Sequence, residues 1–121
     1  MSAAPSRRVG PSIVATSVLP RLLLVEDDDN LRPVLVRSLR KRFEVVALAD
    51  GADAATRMIT DRFDVVLADV HLRGMSGMDL LKAVRTHDLD VPVILMTGLP
   101  DLDGAIAAMD LGALTYIKKP F

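Results

Sequence analysis

Cysteine and tryptophan are absent from all 121 residues. Without thiols the chain can form neither disulfide bonds nor thiolate metal sites, so we expect a protein of the reducing cytoplasm. No apolar run reaches the roughly 18 residues that a membrane-spanning helix needs, so no membrane partner is predicted. The 15 basic and 16 acidic residues nearly cancel, and the net charge of −1 excludes a bulk positive field for nucleic acid.

Hydrophobic residues make up 50% of the chain, which is typical of a globular domain. The Ser-, Ala- and Pro-rich start predicts a flexible N-terminal tail over residues 1–20. Thereafter short apolar runs alternate with segments of helical periodicity. Strands are predicted at residues 21–25, 43–47, 63–68, 91–96 and 113–117, and helices at 31–39, 51–62, 78–87 and 101–111. In the second helix, Ala55, Met58 and Ile59 share one side.

This alternation predicts an α/β fold, a doubly wound parallel sheet with helices on both faces. Ligands of such sheets bind beyond the carboxyl ends of the strands. Four acids follow the first of these strands, and an acid, a hydroxyl and two lysines follow the others: Glu26, Asp27, Asp28, Asp29, Asp69, Thr97, Lys118 and Lys119. Clustered carboxylates repel one another unless a cation lies among them, and oxygen ligands suit Mg²⁺. Asp69 could then attack a phosphoryl group, whose oxygens a lysine and a threonine would bind.

Four segments carry a family resemblance: LLLVEDDD, DVVLADVHLRGMSGMDLL, VILMTG and GALTYIKKPF. In this order they resemble the receiver domain of two-component response regulators. The resemblance implies a flavodoxin-like sheet of strand order 2-1-3-4-5, with Asp69 as the phosphoacceptor. It also implies an Mg²⁺ site formed by Glu26, Asp27, Asp69 and the backbone carbonyl of His71. Thr97 and Tyr116 resemble the family's switch pair, and Lys119 its functional lysine.

The same resemblance predicts the partners. A sensor histidine kinase or a phosphotransfer protein would donate the phosphoryl group, and an output domain or partner protein would respond to it. The domain would assist its own phosphorylation and dephosphorylation without being a free-standing enzyme, and would not itself bind nucleic acid. The alternative function is a non-phosphorylated pseudo-receiver that acts as an interaction module. A phosphatase with an aspartyl nucleophile is disfavoured, because that class typically has a second acid where this chain has His71.

Two positions depart from the family pattern. Receivers usually continue with a fifth helix, whereas this chain stops at Phe121. We therefore expect residues 21–121 to form a receiver domain that lacks its last helix, with part of one sheet face uncovered. An excised piece of a longer protein is the preferred interpretation; a homodimer through that face, or coverage by residues 13–19, are the alternatives. Arg73 replaces the usual proline before Gly74, which predicts a freer loop after Asp69.

Overall fold

Strands and helices alternate in the computed structural model, which describes residues 18–87, 90–98 and 102–119. In chain order they are β1 (Arg21–Val25), α1 (Leu31–Leu39), β2 (Glu44–Leu48), α2 (Gly51–Thr60), β3 (Val65–Asp69), α3 (Gly77–His87), β4 (Val93–Thr97), α4 (Leu102–Asp110) and β5 (Thr115–Lys118). The five strands of the described residues form one parallel sheet in the order β2-β1-β3-β4-β5. The predicted fold class and strand order are therefore confirmed.

The central strands β1 and β3 are apolar at almost every position and are buried on both faces of the sheet, whereas the edge strands β2 and β5 are only partly buried. Along β1, Leu22 and Leu24 pack with α1 on one face, while Leu23 and Val25 pack on the other face with α2, α3 and α4. β1 and β3 lie next to each other at the centre of the sheet. The carboxyl ends of these two strands therefore meet at one edge, where the acidic residues follow.

The observed strands begin one or two residues later than predicted in four of five cases. Phe63, Val91 and Ala113 were assigned to strands, and each is buried just before its strand begins. An apolar run in the sequence indicates which residues are buried, and here the buried residues begin before the first residue that pairs with a neighbouring strand. In α2, Met58 is buried as expected, but Ile59 is 61% exposed, so the expected shared side is wrong for that residue.

Four charged side chains at the opposite, amino-terminal end of the sheet form a network of ion pairs: Arg21, Glu44, Arg57 and Asp61. The Arg21 guanidinium binds the carboxylates of Asp61 at 2.9 Å and Glu44 at 3.2 Å. Arg57 also binds Asp61 at 2.9 Å, and the Arg21 guanidinium lies 4.8 Å from the centre of the Phe63 ring. The hydrogen bonds from Arg21 and Arg57 hold the pKa of Asp61 below its ordinary value.

The predicted tail lies mostly outside the described residues, because the description starts at residue 18. Residues 18–20 are exposed and lack regular structure. Residues 120 and 121 are likewise outside the described range. Across the described residues, every helix is too short or too polar to cross a lipid bilayer.

Candidate functional site

The buried polar side chains of the described residues all come from the predicted site. Glu26 is 0% exposed, Thr97 is 1% exposed and Asp69 is 5% exposed. Glu26 directly follows β1, whereas Asp69 and Thr97 are the last residues of β3 and β4. Burying a polar side chain costs free energy unless it has a hydrogen-bond or ionic partner. Three buried polar side chains at one edge of the sheet therefore indicate a functional site there.

Three carboxylates form the acidic part of this site. One oxygen each from Glu26, Asp27 and Asp69 lie within 4.8 Å of one another. Glu26 Oε2 accepts a hydrogen bond from the Asp28 amide at 3.1 Å, which fixes the orientation of the buried carboxylate. Asp28 instead accepts hydrogen bonds from the amides of Asn30 and Leu31, so its carboxylate serves the start of α1.

Lys119 places a positively charged ammonium group against two of these carboxylates. Its Nζ donates to Glu26 Oε1 at 2.9 Å and to Asp69 Oδ2 at 3.3 Å. The Lys119 amide donates to the Thr97 carbonyl at 2.7 Å, which extends the pairing of β4 with β5 and directs the lysine to the acids. The sequence therefore predicted correctly that these strand ends would bring Lys119 beside Asp69.

The pKa values reflect this crowding. Burial raises the pKa of Glu26, against the hydrogen bond from Lys119, and the nearby charge of Asp69 raises it further. For Lys119, burial lowers the pKa, but the hydrogen bond to Glu26 and the charges of both carboxylates outweigh burial, so the net pKa is raised. The lysine is therefore held in its charged form, while burial and the charge of Asp69 still oppose ionisation of Glu26.

The two predicted switch residues lie on neighbouring strands. Thr97 ends β4, and Tyr116 lies in β5 opposite Leu95, two residues before Thr97. Tyr116 is half-buried and packs against the larger core cluster. The structure thus brings the pair to adjacent strands, and their switching stays a prediction.

His71 lies two residues beyond β3, and its side chain is exposed. The contribution of its backbone carbonyl to a metal site stays a prediction. The chain around it is closely held: the Val70 amide donates to the Met96 carbonyl and the Gly77 amide to the Val70 carbonyl, both at 2.8 Å. A Cβ on Gly77 would overlap the Asp69 carbonyl oxygen, so glycine allows α3 to start directly behind the acid.

The loop after Asp69 is more constrained than the sequence suggested. The β3–α3 loop, residues 70–76, pairs with the start of α2 through a parallel bridge between Asp50 and Arg73. The Gly51 amide donates to the Arg73 carbonyl at 3.2 Å. The Arg73 guanidinium donates to the Asp27 carbonyl at 2.9 Å. The expectation of a freer loop is therefore wrong, because the backbone of the loop is paired and the Arg73 guanidinium adds a contact that a proline side chain could not form.

Sequence reasoning assigned no site role to the side chains of Arg32 and Arg73, yet both hold the acidic loop. Arg32 donates to the Glu26 carbonyl at 2.8 Å and also pairs with Asp29. Arg73 binds the next carbonyl along the chain, that of Asp27. The departure of residue 73 from the family pattern was the available signal, but its long-range partner could not be read from spacing.

The donor set fits a divalent cation. Three carboxylate oxygens within 4.8 Å are hard ligands of the kind that Mg²⁺ prefers. The single lysine leaves the three acids with excess negative charge, which a bound cation would relieve. The same site contains a buried carboxylate, an ammonium group and a hydroxyl, which together can accept and bind a phosphoryl group.

A parallel α/β sheet with this acidic strand-end site defines a receiver-type domain. A family model described as the response regulator receiver domain matches residues 22–121, and the chain belongs to this family. Regulatory protein VanRB of Enterococcus faecalis is 39% identical over 102 residues, which cover 84% of this chain and 46% of the relative. Transcriptional regulatory protein PrrA of Mycobacterium tuberculosis is 35% identical over 103 residues, 84% and 44% of the two chains. The chain thus spans less than half of these relatives.

Solved structures show the same fold. A CheY-like response regulator receiver domain protein from Methanospirillum hungatei has a TM-score of 0.82 and 27% identity, with 86% of this chain and 84% of that chain covered. Chemotaxis protein CheY4 of Vibrio cholerae has a TM-score of 0.81 and 28% identity, with 86% and 89% covered. The domain is therefore a receiver of the two-component response regulator type.

Proposed function

We propose that this receiver accepts a phosphoryl group on Asp69 from a sensor histidine kinase or a phosphotransfer protein. The observation that carries the proposal is the contact of the buried Asp69 carboxylate with Lys119 at 3.3 Å, beside two further carboxylates. If Asp69 were buried only as part of a stabilising ion pair, we would expect one positive side chain for each buried carboxylate. Here Glu26 and Asp69 share one lysine and Asp27 lies beside them, which suits a site built to bind additional positive charge and then a phosphoryl group.

The proposed transfer is a nucleophilic displacement at phosphorus. An Asp69 carboxylate oxygen attacks the phosphorus of a phosphohistidine, the new O–P bond forms and the N–P bond breaks. The bond electrons return to the imidazole of the donor, which takes up a proton. Lys119 Nζ and the Thr97 hydroxyl would then bind the phosphoryl oxygens.

The carboxylates of Glu26, Asp27 and Asp69, with the His71 carbonyl, would hold Mg²⁺. When bound there, the ion would supply positive charge that neutralises the phosphoryl oxygens. The Asp28 amide orients the Glu26 carboxylate, and Arg73 holds the backbone of Asp27 through its carbonyl. The domain assists its own phosphorylation and dephosphorylation, and is not a free-standing enzyme.

The new charge on Asp69 would change the surface that partners bind. The Thr97 hydroxyl would turn toward the phosphoryl group and the Tyr116 ring would turn inward, which alters the surface near α4 and β5. One relative is named a DNA-binding transcriptional regulator, NtrC of Escherichia coli, of which the matched segment covers 21%. By analogy, this receiver would control an output domain or a separate partner protein, inside the cytoplasm.

Intact-mass spectrometry tests the proposal. The protein is incubated with Mg²⁺ and a small phosphodonor, and wild type is compared with Asp69→Asn and with Asp79→Asn, a control that changes an exposed acid of α3. We expect one added phosphoryl group on wild type and on the control, and none on Asp69→Asn. A folded wild-type protein that gains no phosphoryl group would contradict the proposal and favour the interaction-only pseudo-receiver.

A further inference from the structure

Arg73 connects two loops that are far apart in sequence but adjacent at the acidic site. Its guanidinium crosses from the β3–α3 loop to the β1–α1 loop, residues 26–30, and reaches a carbonyl 46 positions away. That carbonyl belongs to Asp27, whose carboxylate is one of the three clustered acids. A charged donor makes a stronger hydrogen bond than a neutral one, so this contact can hold the two loops together.

The backbone at Arg73 is anchored from the opposite side. Its carbonyl accepts the Gly51 amide, and the chain then turns through Gly74, which has a φ of +79°. A Cβ on Gly74 would lie 2.7 Å from Asp50 Oδ1, a carboxylate that also caps α2. The backbone of Arg73 is therefore anchored, so the hydrogen bond from its guanidinium restrains the position of the β1–α1 loop.

The tether matters because the clustered carboxylates repel one another. Asp27 belongs to the β1–α1 loop and Asp69 ends the strand that leads into the β3–α3 loop, so separation of these loops would relieve the repulsion. Arg32 holds the neighbouring Glu26 carbonyl, but it does so from α1, within the same part of the chain. Of the two arginines, Arg73 is the one that links the acidic loop to the loop after Asp69.

We propose that Arg73 is a positioning residue that holds these two loops together and keeps Asp27 and Asp69 at the spacing that a divalent cation requires. The proposal deepens the proposed function and rests on it for the identity of the cation. A ligand set held in place before binding need not be ordered by the ion, so the tether increases metal affinity. The arginine charge alone would act in the opposite direction, because it repels a cation.

Amide hydrogen exchange in the presence of a chelator tests the tether without any metal. In Arg73→Gln, we expect the Asp28 and Gly51 amides, one in each anchored region, to exchange about fivefold faster, the effect of losing ~1 kcal/mol. The Leu114 amide, which donates to the Val93 carbonyl at 2.7 Å, should keep its rate. Arg37→Gln removes the same charge from the exposed side of α1 and should leave all three rates unchanged.

Calorimetric titration with Mg²⁺ alone separates positioning from charge. We expect Arg73→Gln to bind Mg²⁺ about three- to tenfold more weakly. Arg73→Lys, which retains the charge and can still donate an N–H to the carbonyl, should recover part of the loss. Tighter binding by Arg73→Gln, with unchanged exchange rates, would overturn the proposal and assign the arginine a purely electrostatic role. Unchanged exchange rates together with unchanged affinity would overturn it as well.

These experiments distinguish failure of the inference from failure of the proposed function. Wild-type protein that binds no Mg²⁺ would contradict the proposed metal site, and with it the effect of the tether on affinity. The exchange measurement in chelator would still decide whether Arg73 holds the loops. Normal phosphorylation of Asp69 with exchange rates unchanged by Arg73→Gln would contradict the inference alone.

Discussion

Replacement of Lys119 by methionine removes the cation that separates two buried carboxylates. Its Nζ lies 2.9 Å from Glu26 and 3.3 Å from Asp69, and Glu26 is 0% exposed. Loss of one partner from a buried ion pair costs about 3–5 kcal/mol, because it leaves an uncompensated buried charge. The Lys119 side chain is 17% exposed, so water can enter the variant, and we expect the lower figure of about 3 kcal/mol.

Urea unfolding followed by circular dichroism, in a chelating buffer, measures this free energy. For a domain of this size, a loss of about 3 kcal/mol lowers the melting temperature by about 12–24 °C. Lys118→Met is the matched control, because Lys118 is the exposed neighbour at the end of β5. An exposed substitution of this kind should change the unfolding free energy by no more than about 0.5 kcal/mol.

Saturating Mg²⁺ should reduce the deficit of Lys119→Met. A bound divalent cation supplies positive charge to the same carboxylates, and in the variant it no longer meets the repulsion of the lysine. The free-energy gap between wild type and variant should therefore be smaller in Mg²⁺ than in chelator. Equal stability of the Lys119→Met and Lys118→Met proteins would refute the reasoning, as would a gap that Mg²⁺ leaves unchanged.

Gly77→Ala should lower the unfolding free energy by about 2 kcal/mol, because the new Cβ overlaps the carbonyl at the end of β3. Gly98→Ala should be nearly neutral in the same urea assay, because no non-adjacent atom of the described residues lies within 4 Å of its Cβ position. The lowered pKa of Asp61 means that pairing with Arg21 and Arg57 stabilises the fold above the ordinary aspartate pKa. This stabilisation is lost as the pH falls through the folded-state pKa. The difference between wild type and Asp61→Asn should therefore shrink as the pH falls below the ordinary aspartate pKa and through the folded-state pKa, and a constant difference would count against the pairing.

Much of the fold could be predicted because the chain separates its strands from its helices by pattern. β1 was predicted with its observed ends, since an apolar run stops abruptly at Glu26. The residues brought together at the strand ends, Glu26, Asp69, Thr97 and Lys119, follow from topology, because the carboxyl ends of parallel strands meet at one edge. Their roles in phosphoryl transfer rest on the proposed function.

The contacts of long polar side chains could not be predicted in the same way. An arginine can reach a carbonyl in any neighbouring loop, and neither periodicity nor spacing identifies which one. Arg73 was interpreted through the proline that it replaces, and its contact with the Asp27 carbonyl reverses that interpretation. Ile59 shows a second limit: helical spacing placed it beside Met58, but the boundary of the buried surface falls between them.

The five residues of β1, about 16 Å of strand, separate two clusters of charged side chains that differ in how well their charges are paired. At its start, Arg21 belongs to a cluster in which each charge has a partner, whereas at its end Glu26 belongs to one with too few cations. In protein engineering, mutations in the cluster around Arg21 should therefore change the melting temperature, whereas mutations around Glu26 should change metal binding and phosphoryl transfer. Exchange of charged partners around Arg21 should shift the melting temperature in either direction without altering the acidic edge. Stabilised variants for biosensors or rewired signalling circuits are therefore best sought at that end of the sheet.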